Sequence, residues 1–168
     1  MKEVTFSVQV KVKDVFLFLM HHANRGAALI INILITVGAI ALLATGYAKG
    51  DPVKLVVLVT LALLFTVINP IQLYGRAKKQ VQRNPVFAKP LKYTLTEEGI
   101  TMSQDEESQS FTWEDVFQIK EYSSLILVYT GRVYACIWPK RELKHCEAEI
   151  RELFRKKLPP KVAGKSAR

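Results

Sequence analysis

Two stretches without a single charge, residues 27–48 and 55–75, lie back to back in the first half of this chain. At 1.5 Å of rise per residue, each is long enough as a helix to cross a hydrocarbon core of about 30 Å. Only Lys49-Gly50-Asp51-Pro52-Val53-Lys54 separates them, so the second helix has to turn straight back. The pattern predicts a transmembrane hairpin over 26–76. It does not fit a cleaved secretion signal, because the apolar run is too long for a signal core and a second span follows at once.

The formal charge of +9 on 168 residues is unevenly placed. From Arg76 to Lys92 there are six basic residues and no acidic one, whereas the connecting loop has only Lys49 and Lys54 around Asp51. Lys11, Lys13 and Arg25 precede the first span. Lysine and arginine accumulate on cytoplasmic flanks, so both termini are expected in the cytoplasm. The exposed basic residues at the membrane surface would be Arg76, Lys78, Lys79 and Arg83. Cys136 and Cys146 would then be reduced thiols without CxxC spacing, which reads as core packing.

Polar residues inside the spans are few. Asn32 lies seven residues past Arg25 and Asn69 seven before Arg76, with Thr36 and Thr66 about one turn deeper. In an antiparallel hairpin with Arg25 and Arg76 both at the cytoplasmic surface the two asparagines share a depth of about 10 Å, and a hydrogen bond between them, or across a homo-oligomer, is expected as structural glue. A transport pathway would call for ionisable groups in the spans, and there are none.

Outside the hairpin the pattern is β. Val4, Phe6, Val8, Val10 and Val12 alternate with polar residues, which predicts a strand over 4–12 that must join a sheet elsewhere. Asp14 is placed to cap a short interfacial helix that completes an N-terminal segment, 1–25. After the hairpin, Asn84-Pro85 ends the second helix. Short alternating runs then predict strands at 91–96, 100–103, 109–112, 116–122, 125–129 and 133–138, with an acidic hairpin tip at 104–107. Beyond Pro139, Leu143, Cys146, Ile150, Leu153 and Phe154 fall on one face of a single amphipathic helix ended by Pro159-Pro160. A cytoplasmic domain over 77–160 and a disordered basic tail over 161–168 complete the division. The expectation is a mainly-β barrel or sandwich of about seven antiparallel strands, the first from 4–12, capped by the C-terminal helix.

Three short motifs, Tyr93-Thr94-Leu95-Thr96-Glu97-Glu98-Gly99-Ile100, Trp113-Glu114-Asp115-Val116 and Ile137-Trp138-Pro139-Lys140-Arg141, resemble the YcxB-like family of small bacterial membrane proteins. The departure is Trp138, at a position that varies in that family. The resemblance implies two spans followed by a PH-like soluble domain, at the bacterial inner membrane. It carries no catalytic residue. The motif residues themselves read as structural: Gly99 in a turn needing positive φ, Trp113 burying its ring while Asp115 stays wet, Pro139 and Lys140 at a strand-to-helix junction, and Tyr93 on the first strand of the motif.

No nucleophile elbow, zinc-protease helix, Walker loop or Rossmann glycine pattern occurs. His21 and His22 are adjacent and point about 100° apart on a helix, which cannot clamp one metal. The basic run has no interleaved aromatic ladder, against nucleic-acid binding. The sequence therefore predicts a non-enzymatic, membrane-anchored interaction or scaffolding module without a cofactor, whose partners are the lipid bilayer and an unidentified protein. Anionic head-group sensing and a toxin-immunity role are the alternatives.

Overall fold

In the computed structural model, residues 3–24, 26–131 and 134–163 are described. Arg25, the surface marker for the first span, the start of the last predicted strand at Val133, and residues 164–168 of the basic tail lie outside them. The chain divides into two compact units: Val15–Gln80, which is helical, and a β-rich unit made from Met1–Asp14 and Val81–Arg168.

The helical unit holds most of α1 (Val12–Ala23), then α2 (Ala27–Ala44), α3 (Pro52–Leu63) and the start of α4 (Asn69–Arg83). Helix α2 stops four residues earlier than its apolar run. Gly46 adopts φ 75°, and the Gly46 and Tyr47 amides return to Leu43 and Leu42 carbonyls. This is a Schellman ending, whose left-handed residue is best served by glycine. The second helix begins earlier than its apolar run, at Pro52. The Asp51 carboxylate accepts from the Val53 and Lys54 amides at 3.1 Å each. Those bonds hold the Asp51 carboxyl below its usual range. Helices α3 and α4 are joined without a break by a π-helical turn, Leu64–Ile68, in which the Asn69 amide reaches Leu64 O. Pro70 explains the turn. It has no amide hydrogen, and its ring would crowd the carbonyl four residues back, so the ladder opens by one residue just before it.

Two helices, Ala27–Ala44 and Pro52–Arg83, are long and apolar enough to cross a membrane, and only 6% of the apolar window of each is buried within the protein. Ala39, Ala48 and Leu58 form a small buried cluster with Leu43, Leu61 and Ala62 against it. Leu34, Val53, Val56 and Ile71 stay exposed. Such uncovered aliphatic faces suit lipid rather than water.

The β-rich unit contains two antiparallel sheets. The first is ordered β1–β2–β3–β4, from Val4–Val8, Leu91–Leu95, Gly99–Gln104 and Glu107–Thr112. The second is ordered β5–β6–β7, from Gln118–Glu121, Leu125–Tyr129 and Ala135–Pro139. All of β1 pairs with β2, from Val4 opposite Leu95 to Val8 opposite Leu91. The strand predicted for 4–12 thus ends at Val8. Gln9 leaves the ladder because its side chain bonds Phe87 O and its carbonyl accepts from Arg141. Helix α1 then begins at Val12, so Asp14 is not the N-cap. It sits in the first turn and accepts from the Lys11 amide at 2.7 Å.

The sheets do not close into a barrel. A one-turn 3-10 helix, Trp113–Asp115, separates β4 from β5, with Thr112 and Asp115 exchanging capping bonds. The core instead stacks the sheets through aromatic rings. Trp138, fully buried, meets Phe6 and Tyr93 edge-on at 5.1 and 5.3 Å and stacks on Phe154 at 6.0 Å. Its indole Nε1 has no hydrogen-bond partner among the described residues. The single predicted C-terminal helix is broken into α5 (Lys140–Leu143) and α6 (Glu147–Lys157), because the chain turns at Cys146, whose amide returns to Leu143 O. Ile150, Leu153 and Phe154 of α6 are buried. The start of the predicted disordered tail is a short helix instead, α7 (Pro160–Ala163), anchored by the buried Ala163.

Candidate functional site

The strand-to-helix junction at Pro139 gathers most of the buried and half-buried charge. Asp14 is the only charged residue buried among those described. Arg141 clasps it with Nη1 and Nη2, each at 2.7 Å, and reaches Gln9 O with Nη2. These bonds raise the Arg141 guanidinium above its usual value, and a fork on a carboxylate is the geometry arginine favours. One residue earlier, Lys140 Nζ meets Glu121 at 2.5 Å and Glu147 at 3.7 Å. Arg151 binds both Glu121 oxygens and also Glu147. The two basic residues after Pro139 therefore hold different sets of carboxylates, Glu121 and Glu147 for Lys140 and Asp14 and Glu142 for Arg141. They tie α5 to the segment between Gln9 and Asp14 that follows β1 and to β5, and each already has its partner.

The other motif residues are occupied in the same way. Trp113 Nε1 donates to Thr96 O at 3.1 Å, and its ring packs edge-on to Phe154. Asp115, fully solvated, accepts from the Thr112 amide and hydroxyl at 2.8 and 2.9 Å, and these bonds depress its carboxyl. Tyr93 is buried, which pushes its phenol well above the ordinary range, with the Cys136 thiol beside it adding to the shift. Gly99 is not at positive φ. Its requirement is steric: a Cβ there would lie 2.3 Å from Phe111 O on β4.

Arg76, Lys78, Lys79 and Arg83 are all exposed on α4, and Leu73 and Ala77 of the same helix are buried. Asn32 and Thr36 are half-buried on α2, and Asn69 is half-buried at the start of α4. No hydrogen bond joins Asn32 to Asn69 among the described residues. Thr66 is satisfied by its own helix, donating to Ala62 O at 3.0 Å.

Sequence reasoning gave no residue list for the surface that remains. A shallow groove of about 290 Å³ runs over the β3–β4 hairpin, lined by Thr96, Thr101, Ser110, Thr112 and Asp115 among others. A second, of about 220 Å³, follows β5 from Ile119 to Tyr122. No group of three or more His, Cys, Asp or Glu among the described residues could hold a metal. Residues 95–158 match the family model described as YcxB-like protein. The chain carries a YcxB-like domain. The YcxB-like segment contains β3 to β7, α5 and α6, and with them Gly99, Trp113, Asp115, Pro139 and Lys140. Strand β1 and all but the last residue of β2 lie outside it. No curated protein and no solved structure matches this chain.

Proposed function

We propose that this chain is a non-enzymatic interaction module anchored in the bacterial inner membrane by its two apolar helices, with both termini and a PH-like β unit in the cytoplasm. The observation that carries this reading is the pairing of β1 with β2. The first precedes the apolar helices and the second follows them, yet they are hydrogen-bonded neighbours in one sheet. A chain that leaves a sheet and returns to it crosses a bilayer an even number of times, and two helices supply two crossings. The lysine and arginine excess after the second apolar run favours the cytoplasmic side. The exposed Arg76, Lys78, Lys79 and Arg83 favour a second reading, in which the same domain senses anionic head groups, at about 1 kcal/mol per charge near the surface.

Cysteine labelling with a membrane-impermeant maleimide tests the anchoring. Lys49→Cys should react in intact cells, and Lys161→Cys only after permeabilisation. Labelling of Lys161→Cys in intact cells, or release of the chain from membranes by alkaline carbonate, would refute it.

A further inference from the structure

Four strand edges bound the two sheets, and they are not alike. Helix α5 packs against β1 and β7, and α7 packs against β5. Strand β4 ends its sheet with five of its six residues exposed and the sixth half-buried. The register fixes what it presents. The two-residue turn Asp105-Glu106 closes on Gln104 opposite Glu107, so in the alternation of an antiparallel ladder Glu107, Gln109 and Phe111 bond to β3. The amides and carbonyls of Ser108 and Ser110 then face outward. The Thr112 amide, next in that outward series, is taken by Asp115. The usual protections of an edge, a lysine, a proline or a bulge, are absent from β4.

The charge around this edge names what fits it. Between residues 93 and 119 the chain has seven acidic residues and no lysine or arginine, in a protein of net +9. All seven are exposed. Two are offset by cations, Asp105 by the exposed Lys89 at 2.5 Å and Glu97 by the half-buried Lys157 at 3.7 Å. Glu98, Glu106, Glu107, Glu114 and Asp115 bear no ion pair among the described residues. Acids mark both ends of β4: Asp105 and Glu106 before it with Glu107 as its first residue, and Glu114 and Asp115 after it. A second β4, added antiparallel, would set each acidic end against the other copy's opposite acidic end. Added parallel, it would set like ends together. Both arrangements oppose self-pairing, because like charges brought side by side repel.

We infer that the outer edge of β4 accepts an extended, lysine- or arginine-rich segment of a partner protein as an added strand. Main-chain bonds to Ser108 and Ser110 supply the pairing, and the acids at both ends select a basic sequence. The inference rests on the reading of the chain as an interaction module and supplies its surface and its partner's chemistry.

The test uses the full chain in a non-ionic detergent. The probe is a fluorescent, end-blocked peptide of alternating lysine and valine, and its control is alternating glutamate and valine. The lysine peptide should bind, bind more weakly as salt is raised, and slow hydrogen exchange at the Ser108 and Ser110 amides. Ser110→Pro removes an outward amide that β3 does not use, and should weaken binding about tenfold. Ser108→Pro repeats the test at an independent position. Glu107→Lys with Glu114→Lys should reverse the preference between the two peptides. The inference is overturned by absence of binding, by equal affinity for the glutamate peptide, by indifference to both prolines, or by a dimer that the prolines dissolve. Maleimide topology labelling is independent of every one of these outcomes, so it separates failure of the edge from failure of the membrane reading.

Discussion

Removing Arg141 should do more damage than removing the carboxylate it holds. Asp14 has a side chain only 3% exposed. It accepts three hydrogen bonds, one from the Lys11 amide and two from Arg141. Arg141→Ala leaves that carboxylate buried with one backbone donor, and an uncompensated buried charge costs about 3–5 kcal/mol. Loss of the bond to Gln9 O adds about 1 kcal/mol. In Asp14→Ala the orphan is instead a guanidinium whose side chain is 38% exposed and which still meets Glu142 at 3.0 Å. Water can solvate it, so the cost falls to about 1.5–3 kcal/mol. The double variant should therefore be more stable than Arg141→Ala alone. The chain's two tryptophans, Trp113 and Trp138, both lie in the β-rich unit, so urea unfolding followed by tryptophan fluorescence in mild detergent reports that unit. A cost below about 0.5 kcal/mol for Arg141→Ala, or an Asp14→Ala variant at least as damaged, would refute the argument, because surface pairs behave that way and buried ones do not.

Three further outcomes are expected. Gly99→Ala places a Cβ 2.3 Å from Phe111 O and 3.1 Å from its carbonyl carbon. Backbone cannot swing aside like a side chain, so the loss should reach about 2 kcal/mol in thermal unfolding, and an unchanged midpoint would discount the close approach. Asp115 has a depressed carboxyl, so its stabilising effect is present above the ordinary aspartate range and fades as pH falls through the lower folded value. The stability gap between the native chain and Asp115→Asn should narrow on acidification, and a gap constant with pH would show that the capping bonds do not set it. Burial pushes the Cys136 thiol up to about 11, leaving roughly a thousandth of it as thiolate at pH 8. Iodoacetamide should modify it at least an order of magnitude more slowly in the folded chain than in urea, and equal rates would contradict the burial.

Strands β1 and β2 were readable because their alternation has a physical cause that survives in sequence. Val4, Phe6 and Val8 face the core while Thr5 and Ser7 face water. The hairpin was readable from charge exclusion. What periodicity could not see were bonds made across the chain. Nothing in the run from Val4 to Val12 says that Gln9 will be drawn out of the ladder by Phe87 and Arg141. The apolar spacing Leu143, Cys146, Ile150 fits one helix, and it fits equally well two helices with a turn between. Closure of a barrel was a matter of which strands meet, and the capped turn at Trp113–Asp115 prevents β4 from continuing into β5. At the candidate site, Lys140 was recognised by its motif, but its partner Glu121 lies on β5, nineteen residues earlier, with no local signature. The β4 edge was visible only as an acidic tip, because an unpaired edge is a property of sheet order.

The clasp between Asp14 and Arg141 spans 127 residues, and β1 waits for a partner strand that begins more than eighty residues after it ends. At roughly 5–20 residues per second of synthesis, β1 is unpaired for several seconds while the apolar helices are made. During that time Phe6 lacks both rings that later enclose it, Tyr93 and Trp138. Closing so long a loop is less costly than its length suggests, because the entropy term grows only with the logarithm of length. Two antiparallel helices joined by a short turn reduce it further, since they return the chain near its point of departure. The Schellman glycine at 46 and the Asp51 cap are thus as much part of forming the sheet as the strands are. They set where the chain comes back, and the sheet then needs only the register of β1 on β2 and the grip of Arg141 to complete it.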